Sequence, residues 1–166
     1  MALDTFGDAI RVLLIGIGAT SAMDAWLLLL KRLKVPTLNF ALVGRWAGHV
    51  AHGRWAHDAI AKAAPIDGER ALGWALHYAT GIAFAGLLVA LVGTPWLRDP
   101  RLLPALGVGI GTVVVPLFVV QPAMGAGIAS SRTPTPLKNS LRSLLSHAVF
   151  GTGLYLTAAL TAAVWR

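Results

Sequence analysis

Four apolar runs of about twenty residues each divide this chain, and they constrain its fold more than any other feature. A bilayer's hydrocarbon core is about 30 Å thick, and a helix rising about 1.5 Å per residue needs about 20 residues to cross it. The runs fall at 12–30, 71–92, 102–120 and 144–164. Connections occupy 31–70 and 121–143, and a short turn around Gly93-Thr94-Pro95-Trp96 joins the second and third runs. Backbone amides cannot be left unpaired in lipid, so runs of this length fold as helices. The predicted fold is all-α: an integral membrane bundle of four transmembrane helices, forming a single domain over residues 1–166. Composition agrees, since 56% of the residues are hydrophobic and 13% are charged, against about 45–50% and about 25% in soluble domains.

Cysteine is absent, which excludes a disulfide framework, a thiolate metal site and a cysteine nucleophile. The net charge of +7 does not point to nucleic acid, because the basic residues flank apolar runs and build no soluble basic face. Their expected partners are the lipid bilayer and its anionic headgroups. The connection at 31–70 carries Lys31, Arg32, Lys34, Arg45, Arg54, Lys62 and Arg70, and that at 121–143 carries Arg132, Lys138 and Arg142. Opposite them stand only Arg11, Arg98, Arg101 and Arg166. The positive-inside rule therefore predicts cytoplasmic connections and both termini outside, with Trp96 and Trp165 as anchors at the outer interface. An acidic start at Asp4 and Asp8, and an apolar run that continues past Met23, make the first run a retained span and not a cleaved leader.

Ionisable residues inside apolar spans are expensive and mark functional sites by default. Asp24 lies seven residues before Lys31, His77 seven after Arg70, and His147 five after Arg142. At the rise of a helix all three sit about 7–10 Å in from the cytoplasmic ends of their spans. Gln121, at the end of the third run, points to the same layer, and Thr20 lies one turn before Asp24. The predicted site is thus a buried polar layer of Asp24, His77, His147, Gln121 and Thr20. Stripes of small residues accompany it: Gly16-Thr20-Asp24, Gly73-His77-Gly81-Ala85 and Ser143-His147-Gly151, with Gly107 and Gly111 as the pair on the third span. Such stripes let helices approach closely in lipid. The competing reading is that these polar groups only hydrogen-bond neighbouring helices, an interaction worth about 0.6 kcal/mol on average.

Two hairpins can also be aligned. Ile15-Gly16-Ile17-Gly18 resembles Val108-Gly109-Ile110-Gly111, and His77…Gly81 resembles His147…Gly151, as parallel repeats would. Asp24 has no counterpart, because Leu117 aligns with it. Pro116 removes a backbone donor and predicts a kink late in the third span.

The connections carry their own candidates. Residues 39–52 read as an interfacial amphipathic helix, with Leu42, Val43, Trp46, Ala47 and Val50 on one face and Arg45, His49 and His52 on the other. Gly-Arg-Trp-Ala occurs twice, at 44–47 and 53–56. His49, His52 and His57, with Asp58 beside them, are candidate metal ligands, because imidazole suits zinc, copper, iron and nickel. Solvated interfacial histidines are the rival reading. In the second connection Gly125, Gly127, Ser130, Ser131 and Arg132 form a candidate anion or headgroup loop. It lacks the Gly-Lys-Ser/Thr ending of a phosphate-binding loop, and a linker of small residues is the alternative.

Several segments together resemble a known family. They are Leu14-Ile-Gly-Ile-Gly-Ala-Thr-Ser-Ala-Met-Asp24, Leu38-Asn-Phe-Ala-Leu-Val-Gly-Arg-Trp46, Gly68-Glu-Arg-Ala-Leu-Gly-Trp-Ala-Leu-His-Tyr78, Gln121-Pro-Ala-Met-Gly-Ala-Gly-Ile-Ala-Ser-Ser-Arg-Thr-Pro134 and Ser146-His-Ala-Val-Phe-Gly-Thr-Gly-Leu-Tyr155. The chain resembles a bacterial family of small multi-pass inner-membrane proteins known only as a domain of unknown function. That resemblance implies an inner-membrane location and supplies no activity.

On the residues alone, the leading expectation is a binding or transport component whose Asp/His layer handles a cation, a proton or a small solute. Four spans are few for a transporter, so a homodimer would be expected. One alternative is a haem- or metal-binding redox protein using His77 and His147. A lipid-headgroup enzyme and a non-catalytic assembly subunit are the others. No catalytic-triad spacing is present, and no particular cofactor is identified.

Overall fold

The computed structural model describes residues 2–165; Arg166 lies outside the described residues, as does the side chain of Asp4. Among the described residues the regular structure is helical, with no strand. Helix α1 spans Ala2–Arg32, α2 Phe40–Ala51, α3 Glu69–Val92, α4 Leu102–Gly111, α5 Gln121–Ala123 and α6 Pro136–Val164. Four segments are long and apolar enough to cross a membrane: Phe6–Arg32, Glu69–Val92, Leu102–Ala123 and Pro136–Val164. They contain the four expected spans, and the first and last extend further than hydropathy alone delimits. Pro136 opens α6, where its missing N–H leaves no unmet bond.

The third span is not one regular helix. α4 ends at Gly111, a turn follows, and Pro116–Val120 forms a π-helical turn leading into α5. Pro116 cannot donate to the preceding turn; the Leu117 amide donates to the Val113 carbonyl, and the Gln121 amide closes the π turn on the Pro116 carbonyl, five residues back. The regular α-helix is interrupted at the proline, and helix continues three residues beyond the predicted end.

The chain divides into two compact units. The first comprises residues 1–35, 78–112 and 145–166, the second 36–77 and 113–144. These units are not the two hairpins of the repeat alignment, because each draws on both.

In the first unit Ile15, Ala19, Ala85, Leu88, Leu97, Ala105, Phe150, Leu154 and Ala158 form the core. Many larger apolar side chains face outward, such as Leu103 and Leu91, as suits helices surrounded by lipid. Glycine sets the helix spacing. A Cβ on Gly16 would stand 2.5 Å from the Ile82 Cα, and one on Gly81 would collide with the Thr20 hydroxyl. On the other pair, a Cβ on Gly109 would collide with the Gly151 backbone. Gly107 and Gly111, expected at this contact, are exposed, with nothing within 4 Å of a Cβ at either position among the described residues. Ala105 and Gly109 face the partner in their place, so α4 is rotated from the predicted setting. Trp96 also differs from expectation: it is buried, with Nε1 donating to the Arg101 carbonyl at 3.1 Å.

Arg11 closes one end of this unit. Its guanidinium donates to the carbonyls of Leu97 (3.2 Å) and Trp165 (2.9 Å) and lies over the Trp165 ring. One side chain thus ties α1, the 94–97 turn and the end of α6 together.

In the second unit Asn39 caps α2, its side-chain oxygen accepting from the Ala41 amide. α2 then crosses the start of α3, where Gly44 faces Glu69 and Gly73 faces Phe40 too closely for any Cβ. Arg45 grips Glu69 in a bidentate pair, both contacts at 2.8 Å, and also donates to the carbonyls of Ala61 and Ala63. The Glu69 hydrogen bond holds the guanidinium charged even more firmly than usual. Arg45 is therefore engaged by Glu69 and two backbone carbonyls.

Candidate functional site

Of the predicted layer, Asp24, Thr20 and His147 belong to the first unit, and His77 and Gln121 to the second. In the first unit Tyr78 donates its hydroxyl to Asp24 Oδ2 at 2.8 Å. Ser21, one turn before Asp24 on the same helical face, lies 3.4 Å from the same hydroxyl. With the Tyr78 hydrogen directed at the carboxylate, Ser21 is the donor to the phenol oxygen. The result is a short relay, Ser21 to Tyr78 to Asp24, within two membrane-spanning helices. Tyr78 is a partner of Asp24 that the sequence reading did not single out.

Thr20 has a different task. Its buried hydroxyl donates back to the Gly16 carbonyl at 2.7 Å, a self-satisfied bond one turn away. It fills the space beside Gly81 and so belongs to helix packing.

His147 meets α4. Its Nδ1 lies 3.1 Å from both the Gly109 carbonyl and the Thr112 hydroxyl, while Thr112 donates to that carbonyl at 2.7 Å. Thr112 has one hydrogen to give. With it on Gly109, Nδ1 must carry the ring proton of neutral His147, and the basic lone pair is on Nε2. Thr112 was also missed in the sequence, where Val113 and Leu117 occupied the positions aligned with Thr20 and Asp24.

In the second unit His77 stacks on Phe40, ring centres 4.1 Å apart, and meets Trp74 edge-on at 5.8 Å. Gln121 accepts from the buried Ser130 hydroxyl at 2.8 Å. The predicted anion loop is folded on itself. Gly125 and Gly127 adopt positive φ, as do the non-glycine residues Ala129 and Ser130, at 49° and 62°. The amides of Met124, Gly125, Ala126, Ser131, Arg132 and Thr133 donate to carbonyls within the segment. These six amides are therefore already paired. The loop is latched instead: Gly125 packs against the carbonyls of His57 and Asp58, the His57 amide donates to Ala123, and the Ile60 amide donates to Met124.

The candidate metal ligands separate. His52 Nδ1 is 2.8 Å from the Gly48 carbonyl, whereas His49 and His57 meet edge to face with ring centres 4.9 Å apart. No group of three histidine, aspartate or glutamate side chains suited to a metal occurs among the described residues. His57 itself is unusual. Only 6% of it is exposed, and neither ring nitrogen has a hydrogen-bond partner among the described residues. Burial lowers its pKa from the ordinary value, helped by the charges of Arg54 and His49, while the Ala123 contact and Asp58 oppose the change.

These features define a polytopic helical membrane protein with polar contacts built into its spans. The family model described as "Protein of unknown function (DUF2938)" matches residues 13–161, and the chain belongs to that family. Neither the curated proteins nor the solved structures contain a match.

Proposed function

We propose that this protein is a binding or transport component of a bacterial inner membrane, with Asp24 as its proton- or cation-binding group. The observation that carries the reading is the 2.8 Å hydrogen bond from Tyr78 to a carboxylate within a membrane-spanning helix. A proton or cation arriving there competes with the phenol for the same carboxylate oxygens. Intramembrane carboxylates are the usual parts of proton relays. Cytoplasmic connections and periplasmic termini, expected from the basic residues, would place Asp24 nearer the cytoplasmic end of α1.

The test uses the full chain reconstituted in liposomes loaded with a pH-sensitive dye, under an imposed potassium diffusion potential. Asp24→Asn should abolish protein-dependent proton flux while leaving the melting temperature within a few degrees of the parent. Flux that survives the substitution overturns the proposal. Absence of flux in both proteins, with loss of stability in the variant, would favour the assembly-subunit reading.

A further inference from the structure

We infer that His57 and His49 form a binding site for a borderline divalent metal ion such as zinc or nickel. The starting point is the cost of the arrangement without a ligand. A buried polar atom without a partner is destabilising, and His57 presents two of them, in a residue that is 6% exposed. The position is not slack: the backbone on either side is fixed by the His57–Ala123 and Ile60–Met124 hydrogen bonds. The ring is therefore held in place by its chain and left without a bond of its own.

His49 supplies the second ligand. Its Nε2 is 2.9 Å from the Ala64 carbonyl, which requires that nitrogen to carry the proton and leaves the lone pair of the neutral ring on Nδ1. Ligating histidines are commonly oriented in this way, with the second nitrogen donating to a carbonyl. The ring separation fits as well. With metal–nitrogen bonds of about 2.0–2.1 Å, two imidazoles on one ion at angles between right-angled and tetrahedral have centres roughly 4.5–5.2 Å apart. The observed separation is 4.9 Å. His52 is excluded from the pair by its own bond to Gly48. Two imidazole ligands leave further coordination positions to water, and the absence of thiolate disfavours soft ions such as copper(I).

The inference does not depend on Asp24, and the experiment separates the two proposals. The full-length protein, purified in detergent and treated with chelator, is titrated with Zn2+ by calorimetry and with Co2+ by visible absorption. One ion per chain should bind. His57→Gln and His49→Gln should each weaken binding at least tenfold, whereas His52→Gln and Asp24→Asn should stay within twofold. Zn2+ should also raise the melting temperature of the parent and not that of His49→Gln, which covers the case in which the His57 variant fails to fold. No binding by the parent, or equal binding by His49→Gln, overturns the site.

Discussion

Two helix crossings in the first unit use the same backbone device and carry different chemistry. α1 meets α3 where Gly16 and Gly81 remove the side chains between them, and α4 meets α6 at Gly109 and Gly151. These glycines are the ones that the repeat alignment equates. At the second crossing a histidine meets a threonine hydroxyl and a backbone carbonyl. At the first, a phenol addresses a carboxylate, and the position aligned with Asp24 in the other hairpin is Leu117. Close packing therefore does not require an acid. At Gly109 and Gly151 the close approach is made by glycine, so the Asp24 carboxylate is separate from the device that sets helix spacing.

The comparison can be broken most forcefully at the glycines. Gly109→Leu should prevent assembly, because its first carbon already meets the Gly151 backbone and helix backbones cannot yield as a side chain can. Even Gly109→Ala should cost about 1–3 kcal/mol, the usual penalty for overpacking, read as a lower midpoint in detergent unfolding. Gly107→Ala and Gly111→Ala, on the open face, should be nearly silent. Equal damage from all three would mean that α4 is rotated from the setting described.

A smaller effect separates the polar contacts. Tyr78→Phe and Thr112→Val each remove one hydroxyl and should cost about 0.6 kcal/mol, the average for such bonds in membranes. Their functional consequences should diverge: Tyr78→Phe should alter proton flux and Thr112→Val should not. Matching flux in both variants would erase the distinction between the crossings.

The second unit offers a pH-dependent contrast. Because the folded chain holds the His57 pKa below its ordinary value of about 6.5, the unfolded chain takes up a proton more readily. The associated stability is complete above that ordinary value and is lost as pH falls through the lowered one. Chelator-treated protein should therefore unfold at a lower temperature at pH 5 than at pH 7.5. His57→Phe should flatten the profile, with Arg54, His49 and Asp58 the remaining charged or titratable neighbours. An unchanged slope would contradict the role given to its burial.

Much of the fold was legible because it depends on properties that run along the chain. Apolar length marked all four spans, Asn39 and His52 marked the ends of α2, and Pro116 marked the break in the third span. What depends on rotation about a helix axis was not legible. Gly107, Gly109 and Gly111 offer overlapping small faces, and nothing in the spacing says which one turns inward. The same ambiguity hid the contact of Tyr78 with Asp24. The grip of Arg45 on Glu69 was hidden for another reason, since it joins residues across an irregular connection whose path no periodicity describes.

The central claim concerns the carboxyl group of Asp24, and infrared difference spectroscopy of the reconstituted protein across a pH titration addresses it directly. The account predicts a carboxylic-acid carbonyl band that appears on acidification, is missing in Asp24→Asn, and shifts in Tyr78→Phe as its hydrogen-bond donor is removed. A spectrum that Asp24→Asn leaves unchanged would show that Asp24 does not exchange protons with the medium, and would contradict the account.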